Sequence, residues 1–132
     1  MKVTVDTNVL LRAFLRDNAA QARTASRILQ EAEVIAIPIA CLCELVWVLG
    51  RLYRLRREEI ADLLESLLNT QNVAVNRAAV SAGLSVYREG GDFADGVIAW
   101  EGEWLGSEIF VSFDKKAVAV LKNQGVAARL LA

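Results

Sequence analysis

The chain has 132 residues, of which 55% are hydrophobic and 23% are charged, and its formal net charge is −1. This composition excludes a disordered chain and predicts a single domain, residues 1–132, with a substantial core. The charge excludes a protein that binds nucleic acid through net positive charge alone. Histidine is absent, which excludes histidine general bases, Ser-His-Asp triads and HExxH zinc sites.

Predicted strands and helices alternate along the chain. Short apolar or β-branched runs predict strands at residues 2–5, 34–37, 73–75, 109–113 and, less strongly marked, 126–131. Helical spacing and caps also predict seven helices. Three of them begin at about residue 8, at Pro38 and after Asn76. The other four span residues 18–33 with Asn18 as N-cap, 55–69, 92 to about 105, and 114–125. This alternation predicts an α/β fold with a mostly parallel sheet of about five strands and helices on both faces.

The N-terminal stretch meets Asp6 too early to contain the apolar region of a signal peptide. The apolar run 34–49 is shorter than the ~18 residues that suggest a membrane span, and it contains Pro38 and Glu44. Cys41 and Cys43 do not form a CxxC motif and are predicted to be buried apolar residues. These features predict a cytoplasmic protein with no membrane partner.

Four acidic residues lie at or near the predicted carboxyl ends of strands, where sites form in parallel α/β sheets. Asp6 and Asp114 directly follow strands. Glu44 lies in the second turn of the helix after the second strand, and Asp95 lies in the opening turn of the helix after the glycine pair 90–91. Their convergence is an inference from topology.

Each acidic residue also has a simpler explanation. Asp6, Asp92 and Asp114 stand where an N-cap is expected, and Asp95 lies where the helix dipole favours an anion. Glu44 has no capping role: in a nearly all-apolar helix it either points to solvent or meets a positive group from elsewhere. If the carboxylates cluster, pairs ~4 Å apart repel by ~4 kcal/mol at an effective dielectric constant near 20. They would then hold protons or bind a hard cation such as Mg²⁺ or Mn²⁺.

Several strings together resemble the PIN domain, and more specifically the VapC-type toxins of bacterial and archaeal toxin–antitoxin pairs. The strings are VDTNVLLR (5–12), DFADGVIA (92–99) and VSFDKK (111–116), with Glu44 in the third helix. The resemblance spans nearly the whole chain in order and spacing. It implies a three-layer α/β/α PIN-like fold and an Mg²⁺-dependent (or Mn²⁺-dependent) endoribonuclease that cleaves single-stranded RNA through a metal-activated water. It also implies a homodimer and a cognate VapB-type antitoxin whose C-terminal segment blocks the site.

The resemblance further implies which residues form the site. The implied catalytic and metal-binding residues are Asp6, Glu44, Asp95 and Asp114, with Asp6 and Asp95 as the principal ligands. Asn8 and Ser112 resemble polar support residues of the family, although Ser112 stands where threonine is more usual. Gly96 stands where alanine is typical, which costs the helix up to ~1 kcal/mol.

Basic and aromatic side chains flank these positions. Arg12 and Lys115 are predicted to contact RNA, although a solvated face is the more ordinary explanation of such charges. Trp100 and Trp104 are one helical turn apart and are predicted to pack in the core. The alternative for this pair is a partner surface or a platform on which bases stack.

Two other functions are compatible with the same residues. A catalytically degenerate PIN fold would act as a binding module. An aspartate-based phosphatase or phosphotransferase would use Asp6 as its nucleophile, but the string DTN lacks the second aspartate of the DxD arrangement in haloacid-dehalogenase-like enzymes.

Overall fold

The computed structural model describes residues 1–132 and contains five strands and seven helices. The strands are β1 (Lys2–Thr4), β2 (Val34–Ala36), β3 (Val73–Ala74), β4 (Phe110–Ser112) and β5 (Ala128–Leu130). The helices are α1 (Thr7–Leu15), α2 (Ala19–Glu31), α3 (Ile39–Arg51), α4 (Arg57–Leu68), α5 (Arg77–Arg88), α6 (Phe93–Trp104) and α7 (Lys115–Asn123).

Residues Met1–Asn76 form one compact unit around a three-stranded parallel sheet with the strand order β1-β2-β3. Val3 pairs with Ile35, and Ile35 in turn pairs with Val73. Parallel neighbours need a crossover connection, and two helices supply it each time. The largest fully buried side chains of its core are Leu10, Ile35, Leu42, Leu45, Leu49, Ile60 and Leu64.

Residues Arg77–Ala132 form the second compact unit. Its strands β4 and β5 are parallel and are joined through α7, with Phe110 opposite Ala128. One face of α7 packs into a cluster of buried residues made of Val86, Val118, Val120, Leu121 and Ala128.

Helices α5 and α6 of this unit approach each other closely where glycines face the partner helix. A Cβ atom at Gly96 would lie 2.6 Å from the carbonyl oxygen of Ala82 and 2.9 Å from the Cα of Gly83. A Cβ at Gly83 would lie 2.6 Å from the ring of Phe93, which is fully buried. From the sequence alone, Gly96 is expected only to lower the helix propensity of α6. The structure shows that its lack of a side chain also lets α5 and α6 pack closely.

The predicted α/β class, the parallel strands and their number are confirmed, and the elements are consistent with the expected three-layer fold. The strands are shorter than predicted, and they occur as a three-stranded and a two-stranded sheet. The prediction that both tryptophans pack in the core is wrong for Trp104, which is 73% exposed. Trp100 is half-buried. No helix has both the length and the apolar character needed to cross a bilayer. The single domain over 1–132 remains a prediction.

Candidate active site

In the first unit, Asp6 and Glu44 follow neighbouring strands of the parallel sheet. Asp6 lies after β1 as the N-cap of α1, where its Oδ1 accepts a hydrogen bond from the backbone N–H of Val9 at 3.1 Å. Glu44 lies on the solvent-exposed stripe of α3 with Trp47 and Arg51, three and seven residues later. The exposure of Glu44 explains how an apolar helix tolerates it, so no buried positive charge is required.

The charges of both carboxylates act on the buried Cys41 thiol. Burial raises the pKa of Cys41, and the negative charges of Asp6 and Glu44 raise it further, against a lowering by the hydrogen bond with Thr7. The Thr7 hydroxyl donates to Cys41 Sγ at 3.6 Å. The raised pKa keeps the thiol in its protonated form at neutral pH.

In the second unit, Asp95 lies half-buried in the first turn of α6 beside two other carboxylates. Burial raises the pKa of the Asp95 carboxyl, and the charges of Asp92 and Asp114 raise it further. Asp92 is the N-cap of α6 and accepts a hydrogen bond from the backbone N–H of Ala94 at 3.4 Å. The charge of Asp95 is therefore unfavourable in the protein without a cation.

Asp114 is held in place by local hydrogen bonds at the end of β4. As the N-cap of α7, its Oδ1 accepts from the backbone N–H groups of Lys116 at 2.9 Å and Ala117 at 3.1 Å. The hydroxyl of Ser112 accepts from the backbone N–H of Asp114 at 2.9 Å. Ser112 thus orients the turn that carries Asp114.

The chemistry of these donors fits a hard divalent cation. Asp6, Glu44, Asp95 and Asp114 form no ion pair with a basic side chain. Capping occupies one carboxylate oxygen of Asp6 and Asp114 and leaves the other available, because an ionised carboxylate has about four acceptor sites. Carboxylate oxygens with water are the usual ligands of Mg²⁺. Within each unit, no three acidic or cysteine side chains form a group that could hold a metal ion.

The other predicted site residues are exposed or partly exposed in their own units. Asn8 is exposed in the first turn of α1, and Lys115 is exposed at the start of α7. Arg12 is partly exposed and forms an ion pair with Asp17 at 3.1 Å. The charge of Arg12 is thus already balanced by a carboxylate that the sequence did not single out.

A cleft of about 560 Å³ lies between α1 and α2 and includes Asp6 and Asn8 in its lining. Gln21 and Thr24 of α2 also line it, and sequence reasoning missed both residues. The available signal was their spacing with Ile28, which places all three on one side of α2.

Comparison with known protein families gives a match over most of the chain. Residues 3–122 match the PIN domain, and this span includes all four acidic positions. A search of the curated proteins finds no match to the chain. PIN domains are generally metal-dependent nucleases, so the match supports a hydrolase that acts on nucleic acid. Because the match covers most of the sequence, the chain belongs to the PIN domain family.

Proposed function

We propose that this protein is a metal-dependent endoribonuclease and acts in the cytoplasm as the toxin of a toxin–antitoxin pair. The observation that carries the proposal is the family match over residues 3–122, a span that contains Asp6, Glu44, Asp95 and Asp114. The lack of ion-pair partners for these carboxylates supports a cation as their counter-charge. The resemblance to VapC-type toxins supports RNA as the substrate.

In this proposal Asp6 and Asp95 are the principal Mg²⁺ ligands, and Mn²⁺ is an acceptable substitute. Glu44 and Asp114 complete the site directly or through water. A bound divalent cation would lower the pKa of a coordinated water and offset charge developing on the phosphate.

The chain's own residues would position these ligands. The N-cap hydrogen bonds of Asp6 and Asp114 fix the orientation of both carboxylates before any ligand binds. Ser112 fixes the turn that carries Asp114, and Asn8 is proposed to support Asp6 from the same helix turn. Arg12 and Lys115 are proposed to contact the RNA. The charge of Lys115 would offset part of the repulsion between the RNA backbone and the carboxylates, whereas the charge of Arg12 is already balanced by Asp17.

The proposed partners are a VapB-type antitoxin and a second copy of the chain. Exposed apolar side chains of the second unit support a partner surface, because large apolar patches on proteins commonly mark interaction sites. Ile98, Trp104 and Leu105 are 56%, 73% and 74% exposed, and they lie on or directly after α6.

The toxin role is tested by brief induction in bacteria, followed by sequencing of 5′-phosphorylated RNA ends. We expect the wild type to stop growth and to create new ends, and Asp6→Asn to do neither, since asparagine preserves the N-cap but removes the charge. Asp62→Asn is a matched control, because Asp62 is an exposed aspartate on α4. New RNA ends in cells that express Asp6→Asn, at the wild-type rate, would show that the site is wrongly assigned.

A further inference from the structure

The cleft between α1 and α2 connects Asp6 to side chains of α2 that the proposed reaction does not use. Asp6 and Asn8 lie at the start of α1, Val9 and Arg12 lie further along it, and α2 contributes Gln21 and Thr24. Its volume of about 560 Å³ lies within the range of pockets that hold small organic molecules, ~300–1,000 Å³. One nucleotide of a bound RNA therefore fits beside Asp6.

The charges of the cleft favour a base over a phosphate. Arg12 is the one basic side chain in its lining, and it is paired with Asp17 at 3.1 Å. Asp6 adds negative charge at one end, so the cleft offers no unbalanced positive charge to a phosphate. The remaining walls include Val9, Ala25 and Ile28, whose apolar surfaces suit the flat face of a nucleobase.

Two polar side chains on α2 give the cleft its hydrogen-bonding character. The Thr24 hydroxyl donates to the carbonyl oxygen of Ala20 at 3.2 Å, which leaves the hydroxyl oxygen as an acceptor. The backbone N–H of Gln21 is held by Asn18 Oδ1 at 3.1 Å, while the Gln21 side chain is exposed. A glutamine amide offers one donor and one acceptor in the same plane, the pattern that pairs with the N6 and N7 edge of adenine.

We propose that this cleft binds the base next to the scissile phosphate and that Gln21 sets a preference for adenine there. This inference rests on the proposed function, since it assigns a subsite to the same nuclease. The base would lie against Val9 and Ile28, Gln21 would contact its edge, and Thr24 would accept a hydrogen bond from an exocyclic amino group. Unstacked bases of single-stranded RNA expose the edges that such contacts need.

The test compares the wild type with Gln21→Ala and with Gln30→Ala. Gln30 is an exposed glutamine of the same helix that does not line the cleft, and nine residues place it about half a turn away from Gln21. Purified proteins are incubated with Mg²⁺ and a random-sequence single-stranded RNA, and the ends are sequenced. We expect the wild type and Gln30→Ala to favour adenine at one flanking position by about fivefold or more, and Gln21→Ala to lose that preference.

A binding measurement without metal separates this inference from the proposed function. Fluorescence anisotropy with rA6 and rU6 hexamers in EDTA gives the ratio of the two affinities for each protein. We expect the wild type and Gln30→Ala to favour rA6 and Gln21→Ala to bind both hexamers equally.

The outcomes are distinguishable. If the wild type cleaves RNA and Gln21→Ala keeps the same base preference, the cleft assignment is overturned and the nuclease stands. If the wild type cleaves no RNA, the proposed function fails, and the hexamer affinity ratio alone then supports or overturns base binding. A Gln21→Ala variant that loses a protein partner while keeping its base preference would show that the cleft binds protein.

Discussion

Replacing Gly96 by alanine should destabilise the protein, although alanine is the better helix former. In the helix interior the substitution gains ~1 kcal/mol of helix propensity. A Cβ at Gly96, however, would lie 2.6 Å from the carbonyl oxygen of Ala82 and 2.9 Å from the Cα of Gly83. Both atoms belong to the backbone of α5, so a rotamer change cannot relieve the contact.

The size of the effect follows from these two opposing contributions. Overpacking of a close interface costs ~1–3 kcal/mol, and a clash with backbone atoms belongs in the upper half of that range. After the propensity gain, we expect a net loss of about 1–2 kcal/mol in the free energy of unfolding. For a chain of this length, that loss lowers the Tm by roughly 3–10 °C.

Gly102→Ala is the matched control on the same helix. A Cβ at Gly102 would meet only the Ser107 side chain, at 3.9 Å, an ordinary van der Waals distance. This variant should therefore gain ~1 kcal/mol and raise the Tm. Both variants are compared with the wild type by thermal and urea unfolding followed by circular dichroism. If Gly96→Ala is as stabilising as Gly102→Ala, the close approach of α5 and α6 is refuted.

Three further predictions concern two carboxylates and one half-buried amide. Asp114→Asn should lose RNA cleavage but keep the N-cap and the free energy of unfolding of the wild type. Asp114→Ala should lose RNA cleavage and also ~1 kcal/mol of stability in urea unfolding. Full activity in Asp114→Asn would leave capping as the only role of Asp114. Asp95→Asn should raise the Tm at neutral pH in EDTA, because the raised pKa of Asp95 means that its charge opposes folding. This gain should shrink as the pH falls through the folded-state pKa, where the wild type takes up the proton, and a gain that does not depend on pH would contradict the cause. Asn72→Ala should lower the free energy of unfolding by about 1–2 kcal/mol in urea. The reason is that Asn72 Nδ2 donates to the carbonyl oxygens of Leu29 at 3.1 Å and Ala32 at 2.9 Å. An unchanged urea midpoint would show that these hydrogen bonds do not stabilise the protein.

Features that depend on local chemistry could be predicted from the sequence. Asn18, Asp92 and Asp114 are N-caps as predicted, because a short side-chain oxygen satisfies backbone N–H groups within two or three residues. The positions of the strands follow from the β-branched runs that recur between helical segments. Their ends were placed up to a few residues too far out, since pairing with neighbours decides where a strand stops.

Features that depend on distant residues could not be predicted. The sequence leaves two explanations open for Glu44, and only the rotation of α3 against the sheet decides that it faces solvent. The packing role of Gly96 depends on α5, which no local pattern around Gly96 reveals. Trp104 has the helical spacing of a core residue but lies at the last position of α6, where it is exposed.

The four acidic positions could be predicted from their place at or near strand ends together with the resemblance to the family. That four carboxylates act on one metal ion remains a prediction. Asp6 and Asp95 lie in different compact units of the chain, so their cooperation is the step on which the proposed nuclease depends most.

The most direct measurement is Mn²⁺ binding by isothermal titration calorimetry to the wild type, Asp6→Asn and Asp95→Asn, with Asp62→Asn as control. We predict that the wild type and the control bind Mn²⁺ and that each of the two site variants loses this binding while keeping its circular dichroism spectrum. Loss in both variants would mean that carboxylates from the two units serve the same ion. Mn²⁺ binding of wild-type strength in either site variant, or none in the wild type, would contradict the metal site and favour a PIN domain that binds without catalysis.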